Sequence, residues 1–326
     1  MEAPTAYVLP DQKQILDARS SICRTLPERL ADFESSCQRV DSLVAGLNKS
    51  SQSPRYYGFV TGGATPIARY ADNIVTETDQ NVQVHLPNET ISTDIEDAAL
   101  TMLCQLVNLD PSEWTHRTFP TGATASNLLG LALGREHVVA KWGEKSNLTQ
   151  EPASIAQLGL LKAMRMAGLD EIQILTTVPH SSVKKVASIL GLGHAAVKDV
   201  GRHHDGHRHL FDFDMLEHSL GRARTASIII VSCPEVNLGL FATEGLNDFQ
   251  RLRGLADKYG AYIHVDAAMG LLARVLSKES HPDHARIIEG VEGLELADSI
   301  AGDGHKLLNV VSANLYACPS SQLPLS

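Results

Sequence analysis

The sequence of 326 residues predicts an α/β fold, a mainly parallel sheet packed under helices, on three observations. Helical and β-rich segments alternate from about residue 91 onward. The run Ala226–Ser232 reads Ala-Ser-Ile-Ile-Ile-Val-Ser, apolar throughout rather than alternating, as a strand covered on both faces must be. The composition, 43% hydrophobic, 20% charged and 5% aromatic, is that of a soluble chain able to bury a core, which excludes disorder, collagen and coiled coil.

The elements follow in order. From Asp11 to Asn48, Ile15, Leu16, Ile22, Leu26, Leu30, Phe33, Val40 and Leu47 recur at helical spacing, with Pro27 interrupting, so two helices forming an arm are expected. Residues 50–66, rich in Ser, Pro, Gly and Thr, read as a loop with a short apolar piece at 56–60. Helices are expected at Ile91–Val107, with Thr93 and Glu96 spaced as a capping box, and at Ala125–Trp142. The remaining predicted strands are Glu171–Thr176, Ala195–Asp199, Ala261–Val265 and Ala297–Ala301. The remaining predicted helices are Ser181–Leu190, Phe213–Arg222 and Leu246–Tyr259.

Charge and cysteine usage narrow the function classes. With 28 Lys and Arg against 38 Asp and Glu, a net charge of −10 offers no footprint for a nucleic-acid backbone or an anionic membrane. No apolar run reaches the roughly 18 to 20 residues of a membrane span. Residues 1–10 lack a secretory signal, and a cytoplasmic location is expected. The five cysteines form no C-x-x-C, so neither a disulfide framework nor a zinc ribbon is indicated, and no metal is expected.

Three segments carry candidate chemistry. Tyr262-Ile263-His264-Val265-Asp266-Ala267-Ala268 delivers an acid at the end of a predicted strand, where α/β sheets bind ligands. Asp266 there could hold a metal, act as a base or pair with a cationic ring nitrogen; alternatively it caps a helix. Gly302-Asp303-Gly304-His305-Lys306 places a lysine among glycines, a histidine and an acid, as a Schiff-base nucleophile or a solvated charge. Thr121-Gly122-Ala123-Thr124-Ala125-Ser126-Asn127 opens a helix and offers backbone N–H groups to a phosphate, or is simple capping. Two further patterns are set aside. Gly191-Leu192-Gly193-His194-Ala195-Ala196 fits a dinucleotide fingerprint but follows a helix and precedes a strand, the reverse of what that motif needs. The cluster His203, His204, His207 and His209 reads as a solvated loop.

In this order, six motifs resemble those of the group II pyridoxal 5′-phosphate (PLP)-dependent amino-acid decarboxylases, over about residues 53–309. They are Gly58-Phe59-Val60-Thr61-Gly62-Gly63-Ala64-Thr65-Pro66, Asp79-Gln80-Asn81, the Phe119–Asn127 segment, Glu235-Val236-Asn237-Leu238-Gly239, His264–Ala268 and Asp303–Lys306. The likeness is nearest to a microbial tyrosine-decarboxylase-like branch. It implies a PLP-dependent transferase fold of type I, in which a mainly parallel seven-stranded sheet lies between helices. Residues 1–55 would be a helical arm serving dimerisation, and residues 56–326 the PLP-binding large domain.

The resemblance also implies roles. Lys306 would hold PLP as an internal aldimine, Asp266 would pair with the pyridine nitrogen, and His180 would stack on the ring. Ala123, Thr124 and His305 would contact the phosphate, and Ala268 would pack beneath the ring. The implied reaction is decarboxylation of an L-amino acid, tyrosine-like, to its primary amine, by a homodimer. Only 20 residues follow Lys306, whereas family members continue through a mobile loop, whose tyrosine protonates the carbanion, and a small C-terminal domain. Without them, the alternatives are a shortened PLP-binding chain lacking turnover, or another PLP reaction such as transamination or oxidative deamination. Pro234-Glu235-Val236-Asn237 stands where other branches carry Gly-Thr.

Overall fold

A computed structural model describes residues 9–25, 31–53, 55, 56, 58, 61–80, 85–146, 153–276, 281, 284–311 and 314–319. The predicted break at Pro27, part of the apolar piece at 56–60, and Phe59, Val60 and Asn81 of the quoted motifs lie outside these residues.

The N-terminal segment folds as α1 (Gln12–Ser20) and α2 (Phe33–Val44), which touch each other. A capping box formed by Asp11 and Gln14 starts α1, and Asp32 caps α2 by accepting from the Ser35 amide. Next comes α3 (Pro66–Glu77), which begins at the last residue of the 50–66 loop and for which no element is predicted; Thr65 caps it and Pro66, at its first position, is preset for a helix. In α4 (Ser92–Leu106) the expected capping box is absent. The helix starts at Ser92, so Thr93 lies inside the first turn and pairs with His85 Nδ1 at 2.7 Å. Glu96 instead accepts from Thr118 Oγ1 and the Phe119 amide, both at 3.2 Å.

The body then runs β1 (His116–Thr118), α5 (Ala123–Ser146), α6 (Ile155–Leu158), α7 (Leu160–Ala167), β2 (Glu171–Thr176), α8 (Ser181–Ile189), β3 (Val197–Asp199) and α9 (Phe213–Leu220). It continues through β4 (Thr225–Ser232), α10 (Leu246–Tyr259), β5 (Tyr262–Asp266), α11 (His284–Glu289), β6 (Ser299–Asp303), α12 (Gly304–Leu307) and β7 (Asn314–Cys318). The seven strands form one sheet in the order β1-β7-β6-β5-β4-β2-β3. The strands β3, β2, β4, β5 and β6 are parallel; β7 pairs antiparallel with both β6 and β1. Five parallel strands put five C-terminal ends on one edge, where ligands bind in such sheets.

Both faces of the sheet are covered, as continuous apolarity predicts. Every residue of β4 is buried. Ile174, Ile228, Ile230 and Tyr262 pack towards α5, α7 and α8, while Leu175, Ile229, Ile263, Val265 and Ile300 pack towards α4, α9 and α10. The central helix α5 lies close against β5 because two of its residues lack side chains. A Cβ on Gly130 would overlap the His264 ring, and one on Gly134 would sit 2.7 Å from Tyr262 Cδ1.

Some boundaries differ from expectation. The helix predicted from Ala125 begins at Ala123, the last parallel strand is Ser299–Asp303 rather than Ala297–Ala301, and β3 spans three residues because His194–Ala196 is a 3-10 turn. The Gly191-to-Ala196 pattern does link helix to strand, Gly191 and Gly193 having φ of 77° and 81°.

Candidate active site

At the C-terminal edge, neighbouring strands end level with one another. Ser232, last in β4, pairs with Asp266, last in β5, and Asp266 pairs with Ala301 of β6, two residues before the turn into α12 that carries Lys306. Between these ends lies a cavity lined by Ala123, Thr124, His180, Asp266, Ala268 and Lys306, together with Asn127, Ser232, Pro234, Glu235, Val236 and Met269. Six of the sequence-predicted site residues, distributed over the strand ends and helix starts, are thus brought to one cavity. His305 is not among the lining residues: its amide donates to Asp303 Oδ1 at 2.9 Å, and its Nδ1 lies 3.0 Å from the Val310 carbonyl.

The Asp266 carboxylate, 9% exposed, is held from two sides. Oδ2 accepts from Asn127 Nδ2 at 2.9 Å, and Oδ1 accepts from the Ala268 amide at 3.3 Å. Asn127 in turn reaches His264, which is fully buried; His264 Nε2 lies 3.0 Å from Asn127 Oδ1 and Nδ1 lies 2.7 Å from Ser299 Oγ. Burial pushes the His264 imidazole down to about 4, so it is neutral at physiological pH. Asn127 and His264 lie inside two of the resembling motifs, which imply no role for either. The signal was available: Asn127 follows Ala123 by one helical turn, and His264 precedes Asp266 by two strand positions, so each pair shares a face.

Lys306 sits in α12, directly after β6, with Nζ 3.5 Å from Asp303 Oδ2 in a pair that is largely shielded. His180 caps α8: its Nδ1 accepts from the Ser182 amide at 3.2 Å and lies 2.8 Å from Ser182 Oγ. It is therefore both a cap and a cavity residue, exposed at the rim. At the start of α5 the Ala125 and Ser126 amides bond to the Gly122 carbonyl, whereas those of Ala123 and Thr124 meet no acceptor among the described residues. Those two N–H groups lie at the positive end of a 24-residue helix, where negative charge is favoured. Glu235, 3% exposed, spends its carboxylate on the Asn237 and Leu238 amides, both at 2.8 Å, and so shapes its own loop.

A larger apolar cavity of about 470 Å³ adjoins this one, sharing Ala268 and Met269, but its walls are chiefly Leu, Met and Val. Among the described residues no group of three or more His, Cys, Asp or Glu is arranged to hold a metal. In the histidine-rich loop, His203 pairs with Asp199 at 3.1 Å and His204 with Asp212 at 3.7 Å.

The profile of the pyridoxal-dependent decarboxylase conserved domain matches residues 19–315. The chain belongs to that family. Curated relatives include an L-2,4-diaminobutyrate decarboxylase of Acinetobacter baumannii, 29% identical over 190 residues, which are 58% of this chain and 34% of that protein. An aspartate 1-decarboxylase of Aliivibrio fischeri is 25% identical over 282 residues, 83% of this chain and 48% of that one. The chain thus spans about a third to a half of the curated relatives it matches. Among solved structures, the glutamate decarboxylase domain of a diaminobutyrate-pyruvate transaminase and L-2,4-diaminobutyrate decarboxylase from Vibrio parahaemolyticus superimposes with a TM-score of 0.73 at 25% identity, covering 98% of this chain and 62% of that one. An Oryza sativa TDC with PLP and tryptamine, at TM-score 0.70 and 17% identity over 96% of this chain and 61% of that one, shares the fold.

The family's cofactor is PLP, and the residues present fit it. An amine, a carboxylate, unsatisfied helix amides and a small residue, Ala268, surround one cavity, and open space surrounds the position a Cβ on Gly122 would take. These are the groups that an aldehyde, a pyridine nitrogen, a phosphate and a flat ring call for.

Proposed function

We propose that this chain carries the catalytic core of a decarboxylase that releases the α-carboxylate of an L-amino acid as carbon dioxide and leaves the primary amine. The observation that carries the reading is the convergence of Lys306, Asp266, His180 and the α5 N-terminus on one cavity. When bound, PLP supplies an electron-accepting ring for the electron pair left at Cα. Asp266, oriented by the Asn127 and Ala268 N–H groups, keeps oxygen lone pairs for the pyridine N–H. Lys306 would hold the cofactor at its aldehyde carbon and, as an amine beside Asp303, could hold or move a proton. His180, at the rim, would cover the ring, and the Ala123 and Thr124 amides would hold the phosphate.

For the side chain, the motif resemblance supports an aromatic, tyrosine-like substrate. A second reading, a short polar side chain, is supported by relatives whose names specify diaminobutyrate and aspartate. We further propose that residues 1–55 form the arm of a cytoplasmic homodimer and residues 56–326 its PLP-binding domain. Supporting this, Phe33 is 85% exposed and Ile67 71%, an apolar surface suited to a second copy.

The test is product analysis by the PLP-loaded chain offered L-tyrosine, L-tryptophan, L-glutamate, L-aspartate and L-2,4-diaminobutyrate, with Lys306→Ala as control. An amine that requires Lys306 is expected, and its identity selects the side chain. A Lys306-dependent cofactor band without amine would sink the decarboxylase reading; a ketone or aldehyde product would replace it with transamination or oxidative deamination.

A further inference from the structure

Behind the cavity, buried polar groups form one directional hydrogen-bonded chain. Asn127 Nδ2 donates to Asp266 Oδ2 at 2.9 Å and to Ser182 Oγ at 3.2 Å, which orients its Oδ1 as the acceptor towards His264 Nε2 at 3.0 Å. His264 must then carry its proton on Nε2, leaving Nδ1 to accept from Ser299 Oγ at 2.7 Å. On the other side, the Ser182 hydroxyl, having accepted from Asn127, donates to His180 Nδ1 at 2.8 Å. Donors therefore point one way, from Ser299 through His264 and Asn127 to both Asp266 and His180. Asn127, Ser182, His264 and Ser299 are each at most 2% exposed, so water does not compete, and bonds in such a chain polarise one another. Gly130 is part of the device, since a side chain there would occupy the place of the His264 ring.

We propose that Asn127 is a positioning residue that fixes, through this one chain, the two groups flanking the cofactor: the Asp266 carboxylate at the pyridine nitrogen and the His180 imidazole over the ring. This rests on the reading of the cavity as a PLP site. A single amide ties the two, so the angle of the carboxylate and the plane of the imidazole are set together rather than independently. Asn127 borders the cavity, but its amide is spent on its neighbours, Nδ2 on Asp266 and Ser182 and Oδ1 on His264, so it acts through Asp266 and through Ser182. His264 and Ser299 fix the orientation of the Asn127 amide.

Asn127→Asp tests this, because it keeps shape and the acceptor towards His264 while removing both donors and facing Asp266 with a second carboxylate. Three quantities are measured: the PLP dissociation constant by titrating the Lys306-dependent absorbance band, the pH response of that band, and the ring ¹⁵N spectrum of the histidines in the cofactor-free chain. Asn127→Asp is expected to weaken PLP binding about tenfold or more, as loss of a hydrogen bond to a charged group does, and to move the pH response of the band. In the cofactor-free chain, His264 is expected as the Nε2–H tautomer. Ser299→Ala, remote from the cavity, is expected to move the pH response of the band while leaving PLP affinity within about threefold, and it decides the matter if Asn127→Asp fails to fold. Folded variants with lowered melting temperature but unchanged affinity and band titration would overturn the proposal alone. A wild-type chain without a Lys306-dependent band would overturn the PLP reading, and the proposal with it.

Discussion

At the scale of single residues, the site is a set of groups each held by a neighbour whose job is geometric. Asp266→Asn keeps the shape of the side chain and removes its charge, so folding should survive while turnover falls about 100-fold or more, the order of magnitude for losing one aimed electrostatic contact; steady-state kinetics against the reconstituted wild type measures it. Two imidazoles are held uncharged by burial: His264, fully buried, and the half-buried His137, which packs at 5.4 Å from the Tyr262 ring and is likewise pushed down to about 4. Each binds a proton more readily unfolded, at its ordinary 6.5, than folded. Their contribution is full above pH 6.5 and is lost as the pH falls towards 4, with about 3 kcal/mol at stake for each. Urea unfolding from pH 8 to pH 5 should show this decline, and His264→Gln should remove roughly half of it. The residue roles came from motif resemblance. Spacing shows which face Asn127 and His264 share with Ala123 and Asp266, but not that they join Ser182 and Ser299 in one polar chain, because the four come from four elements that meet only after folding.

At the scale of elements, periodicity was enough where burial is uniform and failed where a boundary depends on partners. The strand β4 reads off the sequence because both of its faces are covered. The strands β1 and β7 do not, because three residues at His116–Thr118 give no period, and Asn314–Cys318 becomes a strand by pairing on both sides. The capping-box reading of Thr93 and Glu96 failed for a related reason: the helix start shifted, and Glu96 found the chain entering the next loop. The helix α5 is the element on which the site hangs, since it supplies the anion-facing amides, Asn127 and the glycine that admits His264. Gly134→Ala puts a methyl 2.7 Å from Tyr262. It should destabilise by about 1–3 kcal/mol through overpacking, less up to about 1 kcal/mol regained from helix propensity, as a urea midpoint will show.

At the scale of the whole molecule, the fold class was legible from strand and helix order, and the mixed edge was not. Among the described residues no helix is long and apolar enough to cross a membrane. The apolar residues left open on the arm and its neighbours, Phe33, Val40, Ile67 and Tyr70, make self-association the expected state. Sedimentation velocity should find a dimer, and Phe33→Glu combined with Ile67→Glu should shift it to monomer at micromolar concentration, if the arm is the contact. A pair that stays dimeric would move the interface elsewhere.

The antiparallel strand β7 also bears on how the molecule is made. It fills the gap between β1 and β6, pairing Thr118 with Tyr316 and Ile300 with Ala317. During synthesis, then, β1 emerges nearly two hundred residues before its partner. Until residues 314–318 arrive, β6, the strand that leads into Lys306, is itself an open edge. Contacts so distant along the chain slow folding, and an unpaired apolar strand invites pairing with another copy. Nascent chains of this domain should accordingly depend on holding factors up to the moment β7 leaves the ribosome, and closing the sheet and finishing the lysine turn should be one late event.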